Sequence, residues 1–190
     1  MNLDDVINKK SAIRVIGIDP STNSLGFAVV DRNSDGKVFL NTKGKINFKG
    51  DPQSVKFKKI SSWIENLFGD IDIFDTQCVI EQTIFIQNPQ TSRLMAYVTG
   101  YTWGRMIQAG IPVSDIGPMT WKSWLGYKKV TKKQKDQWAE EGLSPKEVKK
   151  KANFERKHRT RIILEEKGIE EEDDDIMDAI GIALWGVNNL

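Results

Sequence analysis

Arg14-Val15-Ile16-Gly17-Ile18-Asp19-Pro20-Ser21-Thr22-Asn23-Ser24-Leu25-Gly26-Phe27-Ala28-Val29-Val30-Asp31 is the stretch on which the fold turns. Arg14–Asp19 is a short apolar run of strand type, and the Pro-Ser-Thr-Asn that follows is turn chemistry. Leu25–Asp31 predicts a second strand, so an aspartate sits where the first strand enters the turn. Asn33-Ser34-Asp35-Gly36 is another strong turn, and Lys37–Lys43 predicts a third strand that completes an antiparallel meander.

Further along, Pro52–Phe68 places Val55, Ile60, Trp63, Ile64, Leu67 and Phe68 near helical spacing, which predicts an amphipathic helix. Thr76–Glu81 is a fourth strand that runs into a terminal carboxylate. Pro89–Gly110 predicts a helix with Leu94, Val98, Tyr101 and Arg105 on one side. Ala96, Gly100 and Gly104 form a small-residue stripe on it, suited to close approach of the sheet or of another helix. Ile111–Ile116 is a fifth strand, and Pro118–Leu125 begins a helix with Trp121 and Trp124. Lys128–Lys157 predicts one or two exposed helices or a partly mobile insertion. Arg159–Lys167 predicts a short helix ended by Gly168, and Asp174–Val187 a last helix with Ile176, Ile180, Ala183, Leu184 and Val187 on its apolar face. This order suits one α/β domain, a mixed sheet with helices on both faces.

Charge is distributed more tellingly than its net value of +2. Lys122–Arg161 holds 14 Lys/Arg against 5 Asp/Glu, a balance of +9, while Glu165–Asp178 holds 9 acids and one lysine, a balance of −8. Each block repels itself, so their adjacency points to a phosphate backbone held beside a divalent metal. The plain alternatives are a solvated helical surface and an acidic loop. The N-terminal residues carry no apolar leader, and no run approaches the ~18 apolar residues of a membrane span. With Cys78 as the one cysteine there is no internal disulfide, and an intracellular protein without a membrane partner is expected. Cys78 lies in an apolar run with no local base, as a small buried residue does.

Asp19 and Glu81 both end strands, and if those strands are neighbours the two carboxylates emerge at one edge. Asp175 and Asp178, three apart on one helix, share a face about 5–6 Å apart. Taken singly, Asp19 is an ordinary turn former and Asp175 an ordinary dipole partner in a first helical turn. Together, four acids would raise one another's pKa unless divalent cations relieved the repulsion, and an all-oxygen set suits Mg²⁺ or Mn²⁺. Two such ions would clamp a phosphodiester.

Ile16–Phe27 resembles the first motif of the RuvC-type Holliday-junction resolvases of the RNase H-like superfamily. Val79-Ile80-Glu81-Gln82 with Asn88 resembles the second, and Asp175-Ile176-Met177-Asp178-Ala179-Ile180-Gly181-Ile182-Ala183 is similar to the last. Met119-Thr120-Trp121-Lys122 stands where the family has a basic residue touching DNA. The likeness runs from about Arg14 to Val187. It implies a single RNase H-like nuclease domain over residues 1–190, built on a five-stranded mixed sheet, three antiparallel strands then parallel ones, flanked by helices. A basic helical insertion is expected at about 126–157, longer than in compact bacterial members and suggestive of a phage-type branch.

The resemblance further implies a Mg²⁺-dependent endonuclease, with Mn²⁺ a possible substitute, that binds two ions through Asp19, Glu81, Asp175 and Asp178. Its implied partners are branched DNA and a second copy of itself, which meets the small-residue helix across a two-fold axis and nicks four-way junctions in pairs. Expected DNA contacts are Ile84, Phe85, Lys122, Lys128, Lys129, Lys149, Lys150, Lys151, Arg156 and His158, with Lys132, Lys133 and Arg159 as further phosphate contacts. The family's aromatic wedge falls on Ile84, with Phe85 beside it. Ser21 replaces a common glycine, and spacing favours Asp175 over Asp174 as the partner of Asp178. His158, the one histidine, is an exposed charged residue or a group near the scissile bond. Trp121 and Trp124 are expected as core anchors, with stacking on unpaired bases the other role open to them and to Trp138.

Three other functions fit parts of this pattern. A looser nuclease would also trim Y-forks and flaps. A sugar kinase or actin-like ATPase shares Gly-Ile-Asp-x-(Ser/Thr), but those proteins need roughly twice the length and a second phosphate loop. A non-catalytic DNA-binding module has no use for four clustered acids, which cost stability.

Overall fold

The computed structural model describes residues 13–70, 75–83 and 88–190. Strands β1 (Ile13–Pro20), β2 (Ser24–Arg32) and β3 (Val38–Asn47) form the expected meander. Helix α1 (Gln53–Asp70) leads to β4 (Thr76–Glu81), helix α2 (Pro89–Gln108) and β5 (Val113–Ile116). Four helices follow: α3 (Pro118–Trp124), α4 (Lys132–Glu140), α5 (Pro145–Glu165) and α6 (Asp174–Asn189). The sheet order is β3-β2-β1-β4-β5, with β1–β2 and β2–β3 antiparallel and β1–β4 and β4–β5 parallel. This is the mixed RNase H-like sheet.

Two cores lie on opposite faces of it. Successive strand residues point to opposite faces, and the apolar residues sort accordingly. Val15, Ala28, Val30 and Val79 pack with α6, Trp121 and Leu164. Ile16, Ile18, Leu25, Val29 and Ile80 pack with Ile60, Ile64, Val98 and Met106 of α1 and α2. Helix α6 is apolar nearly all round because it lies under the sheet and against α3 and α5, burying Met177, Ala179, Ile180, Ile182, Ala183 and Val187. It comes in this close because Gly17 has no side chain: a Cβ there would lie 2.3 Å from the Ala179 carbonyl oxygen.

Several boundaries differ from expectation. Strand β3 runs on to Asn47, because Gly44, Lys45 and Ile46 continue the ladder against Phe27, Gly26 and Leu25. The expected short helix at Arg159–Lys167 is the C-terminal part of α5, one 21-residue helix that begins at a Ser144–Glu147 capping box. Residue 157 therefore falls inside a helix rather than at the end of an insertion. Its continuity has a packing cause, since Thr160 and Leu164 are buried while the helix's first half is largely exposed. Trp124 is 40% exposed and is no core anchor, whereas Trp121 is fully buried. The small-residue stripe does not pack on the sheet; Val98, Thr102 and Met106 do that, and Ala96, Gly100 and Gly104 face outward.

Candidate active site

Strand parity places the acids. On β1, Val15, Gly17 and Asp19 face α6; on β4, Val79 and Glu81 do. The strands are parallel neighbours in register to Ile18↔Ile80, so Asp19 and Glu81 follow at the same lip. Helix α6 starts at this lip with Asp173 as N-cap, its carboxylate accepting from the Asp175 and Ile176 amides at 3.0 and 3.3 Å. That cap brings Asp175 and Asp178 to the same lip from the α6 face of the sheet. The other three acids lie near enough for Asp19 to feel their charge: its carboxyl is held well above its usual range, first by burial, then by the charges of Glu81, Asp178 and Asp175, with Lys122 opposing.

Each of the other three carboxylates is held by a side chain from elsewhere. Trp121 Nε1 donates to Glu81 Oε2 at 2.7 Å. Lys122 Nζ lies 2.8 Å from Asp178 Oδ2 and 4.6 Å from the Trp121 ring centroid. Asp175 Oδ2 takes the Ser24 hydroxyl at 2.6 Å and Lys45 Nζ at 2.6 Å. Lys45 also reaches both oxygens of Asp173, at 3.0 and 3.2 Å. Burial works against the Lys45 charge, yet these hydrogen bonds to Asp175 and Asp173 outweigh it and raise its pKa. Among the described residues no three His, Cys, Asp or Glu side chains close on one point as ion ligands do. The all-carboxylate donor set and the acid–acid repulsion that Lys122 only partly offsets on Asp19 nonetheless fit hard divalent cations.

Ser21, which departs from the family's usual glycine, has a structural task here. Its Oγ accepts from the Ser24 and Asn23 amides at 3.0 and 3.2 Å, which builds the turn after Asp19. Ser24 has one hydroxyl proton, directed to Asp175, so Ser21 donates in their 2.9 Å Oγ–Oγ contact. Lys56 of α1 closes the turn from behind through the Thr22 carbonyl at 2.5 Å. Ser24 and Lys45 were not expected in the site. Lys45 pairs with residues about 128 positions away along the chain, and only its place on β3 relates them.

The remaining expected contacts separate into groups. Lys132, Lys133, Lys149 and Lys150 are exposed on the helical arm made by α4 and α5, and Lys128 and Lys129 are exposed in the segment just before α4. Lys151 sits 4.7 Å over the half-buried Trp138 ring, and Arg159 faces Glu155 at 3.7 Å. His158 is exposed and stacked on Phe154 at 5.7 Å between centroids, a surface position. Ile84 and Phe85 lie outside the described residues, as does the Arg156 side chain. Cys78 is fully buried, and burial pushes its thiol far up, which suits packing rather than chemistry. Among the described residues no helix is long and apolar enough to cross a membrane.

Sheet order, helix placement and acids gathered at one lip define a protein of the RNase H-like class. A family model described as Crossover junction endodeoxyribonuclease RuvC matches residues 15–152, most of the chain. The chain belongs to the RuvC family of crossover junction endodeoxyribonucleases. Relatives of that name from Paraburkholderia phymatum and Campylobacter jejuni are each 26% identical, over 130 residues (66% of this chain, 68% of theirs) and 123 residues (64% and 75%). Among solved structures, Thermus thermophilus RuvC in complex with Holliday junction substrate is similar with a TM-score of 0.64 and 20% identity, covering 90% of this chain and 91% of that one. The yeast mitochondrial Holliday junction resolvase Ydc2 has a TM-score of 0.53 and 16% identity, covering 90% and 76%. The family match ends before α6, so Asp175 and Asp178 rest on the geometry above.

Proposed function

We propose that this protein is a divalent-metal-dependent endonuclease that resolves four-way DNA junctions by paired nicks, acting as a homodimer inside the cell. The observation that carries this is the sheet lip that Asp19 and Glu81 share, with the start of α6 and its Asp175 and Asp178 packed against it, in a chain of the RuvC family. Asp19, Glu81, Asp175 and Asp178 would hold two ions of the Mg²⁺ or Mn²⁺ kind, which when bound activate a water and stabilise the leaving oxygen of a phosphodiester. The chain's own residues do the rest. Trp121 and Lys122 orient Glu81 and Asp178, and Lys122 adds positive charge beside the acids, where a DNA phosphate would approach. The exposed lysines of α4 and α5 supply backbone attraction without sequence reading. Helix α2 turns its small-residue stripe outward, which suits the face that meets the second copy.

The test is an Asp19→Asn variant on a synthetic four-way junction, with three-way and linear duplexes alongside. Retained junction binding with loss of Mg²⁺-dependent cutting is expected; cutting at the wild-type rate would remove the mechanism. Equal wild-type cutting of three-way junctions would mark the broader debranching activity instead.

A further inference from the structure

We propose that Lys45 is a positioning residue of the active site, which fixes Asp175 through one carboxylate oxygen so that the other is presented to the metal. This rests on the nuclease function proposed above. Asp19, Gly26 and Lys45 form one row across β1, β2 and β3, since Asp19 pairs with Gly26 and Gly26 with Lys45. Paired residues on neighbouring strands share a face, here the α6 face. Gly26 leaves the middle of the row empty, and the Asp175 main chain fills it: a Cβ on Gly26 would lie 2.1 Å from the Asp175 carbonyl oxygen. Asp175 is therefore set between an acid on one side and a lysine on the other.

The contacts are asymmetric. Lys45 Nζ and Ser24 Oγ both bind Oδ2 of Asp175, each at 2.6 Å. Two charge-assisted bonds on one oxygen fix the rotation of the carboxylate and leave Oδ1 as the oxygen for a cation. The same ammonium group holds Asp173, the N-cap of α6, so one lysine orients the ligand and anchors the helix that carries it. Lys43, on the same face of β3, repeats the arrangement a step outward with Glu171 Oε2 at 2.9 Å and the Glu170 carbonyl at 2.5 Å. The β3 lysines thus receive the acidic segment before α6, which accounts for its charge without placing every acid in the metal site. Partners that orient ligating carboxylates typically contribute about 10–100-fold in metal affinity or activity.

The experiment compares wild type, Lys45→Met, Lys45→Arg and Ser24→Ala in three measurements. These are Mn²⁺ affinity by electron paramagnetic resonance without DNA, junction binding in chelator, and junction cleavage at saturating Mg²⁺. Lys45→Met is expected to weaken Mn²⁺ binding and slow cleavage by about 10–100-fold, with metal-free junction binding unchanged. Lys45→Arg should restore most of both, and Ser24→Ala should shift both the same way by less. Wild-type Mn²⁺ affinity in folded Lys45→Met overturns the proposal. If Lys45→Met does not fold, the decision passes to Ser24→Ala, and an unchanged Mn²⁺ affinity there overturns it equally. A wild-type protein that binds Mn²⁺ but cuts no junction would instead defeat the function proposed above, while the affinity comparison still decides the role of Lys45.

Discussion

Gly26 and Asp175 touch backbone to backbone, and a Cβ added to Gly26 would lie 2.1 Å from the Asp175 carbonyl oxygen and 2.5 Å from its carbon. Neither neighbour is a flexible side-chain end, so Gly26→Ala must push the start of α6 off the sheet. The rest of α6 is fixed independently by Gly17 and its own apolar face. The variant is therefore expected to fold with a cost of about 1–3 kcal/mol. Its cleavage should fall much further, by about 10²-fold, the usual penalty for misplacing a reacting group by about 1 Å. Thermal melts beside single-turnover cleavage check the pair, and a proportionate loss of both would contradict the assignment of Asp175.

Trp121 ties the core to the site. Its ring is fully buried against Gly181, where a Cβ would come within 2.3 Å of Cζ3, and its Nε1 holds Glu81 at 2.7 Å. Trp121→Phe keeps an aromatic ring in place and deletes the donor. The lost hydrogen bond costs about 1–3 kcal/mol, and a Glu81 that has lost this donor should lower cleavage about 10–100-fold. Denaturant unfolding and cleavage rates at saturating Mg²⁺ measure the two effects. Full activity in a destabilised Trp121→Phe protein would reduce Trp121 to a packing residue.

Much of this was legible in the sequence. The apolar runs into Asp19 and Glu81 predicted strand ends, and parity plus a parallel β1–β4 pair made them neighbours. Asp175 and Asp178 were readable because residues three apart on a helix share a face. What escaped was set by contacts distant in the chain. Nothing local shows that Lys45 belongs to Asp175, or that β3 continues past Gly44, because its ladder partners lie on β2. In α5 the charged run was read as helical, but not as one helix continuous with Arg159–Glu165, because Thr160, Ile163 and Leu164, which anchor it to the core, lie at its far end. Trp124 follows the same logic in reverse: beside Trp121 in a short helix it looked equally apolar, but it is 40% exposed and lines an open cavity with Phe39 and Lys43.

Arg14 and Asp31 supply a pH dependence away from the metal site. Asp31 faces Arg14 across the β1–β2 hairpin at 2.6 and 2.8 Å and accepts from Asn41 at 2.8 Å. Burial alone would raise its carboxyl, but the Arg14 and Asn41 hydrogen bonds and the Arg14 charge prevail and lower it from 3.8. A carboxylate depressed in the folded state stabilises fully above its unfolded pKa, and that contribution disappears as pH falls through the folded value. The stability gap between wild type and Asp31→Asn should thus be constant near neutrality and shrink below about pH 4. Unfolding curves from neutral to acid pH measure it; a gap that widens on acidification would reverse the sign.

The outer face of α2 offers a test of assembly with little interference from folding. Gly100 and Gly104 are exposed, and an added Cβ on either meets nothing within 4 Å in this chain. Tyr97 and Ile107 beside them are 48% and 56% exposed. Such a face permits close helix–helix approach with a second copy, and a bulky charged residue there would block it. Gly100→Arg also replaces a poor helix former with a good one, worth up to about 1 kcal/mol in favour of the helix. Monomer stability should therefore hold or rise while the dimer is lost. Light scattering should give a dimer for wild type and a monomer for Gly100→Arg, and on a four-way junction the two nicks should become uncoupled, so that singly cut junctions accumulate. Paired nicking by a dimeric Gly100→Arg would move the interface off this helix, because the arginine would then project into solvent without consequence.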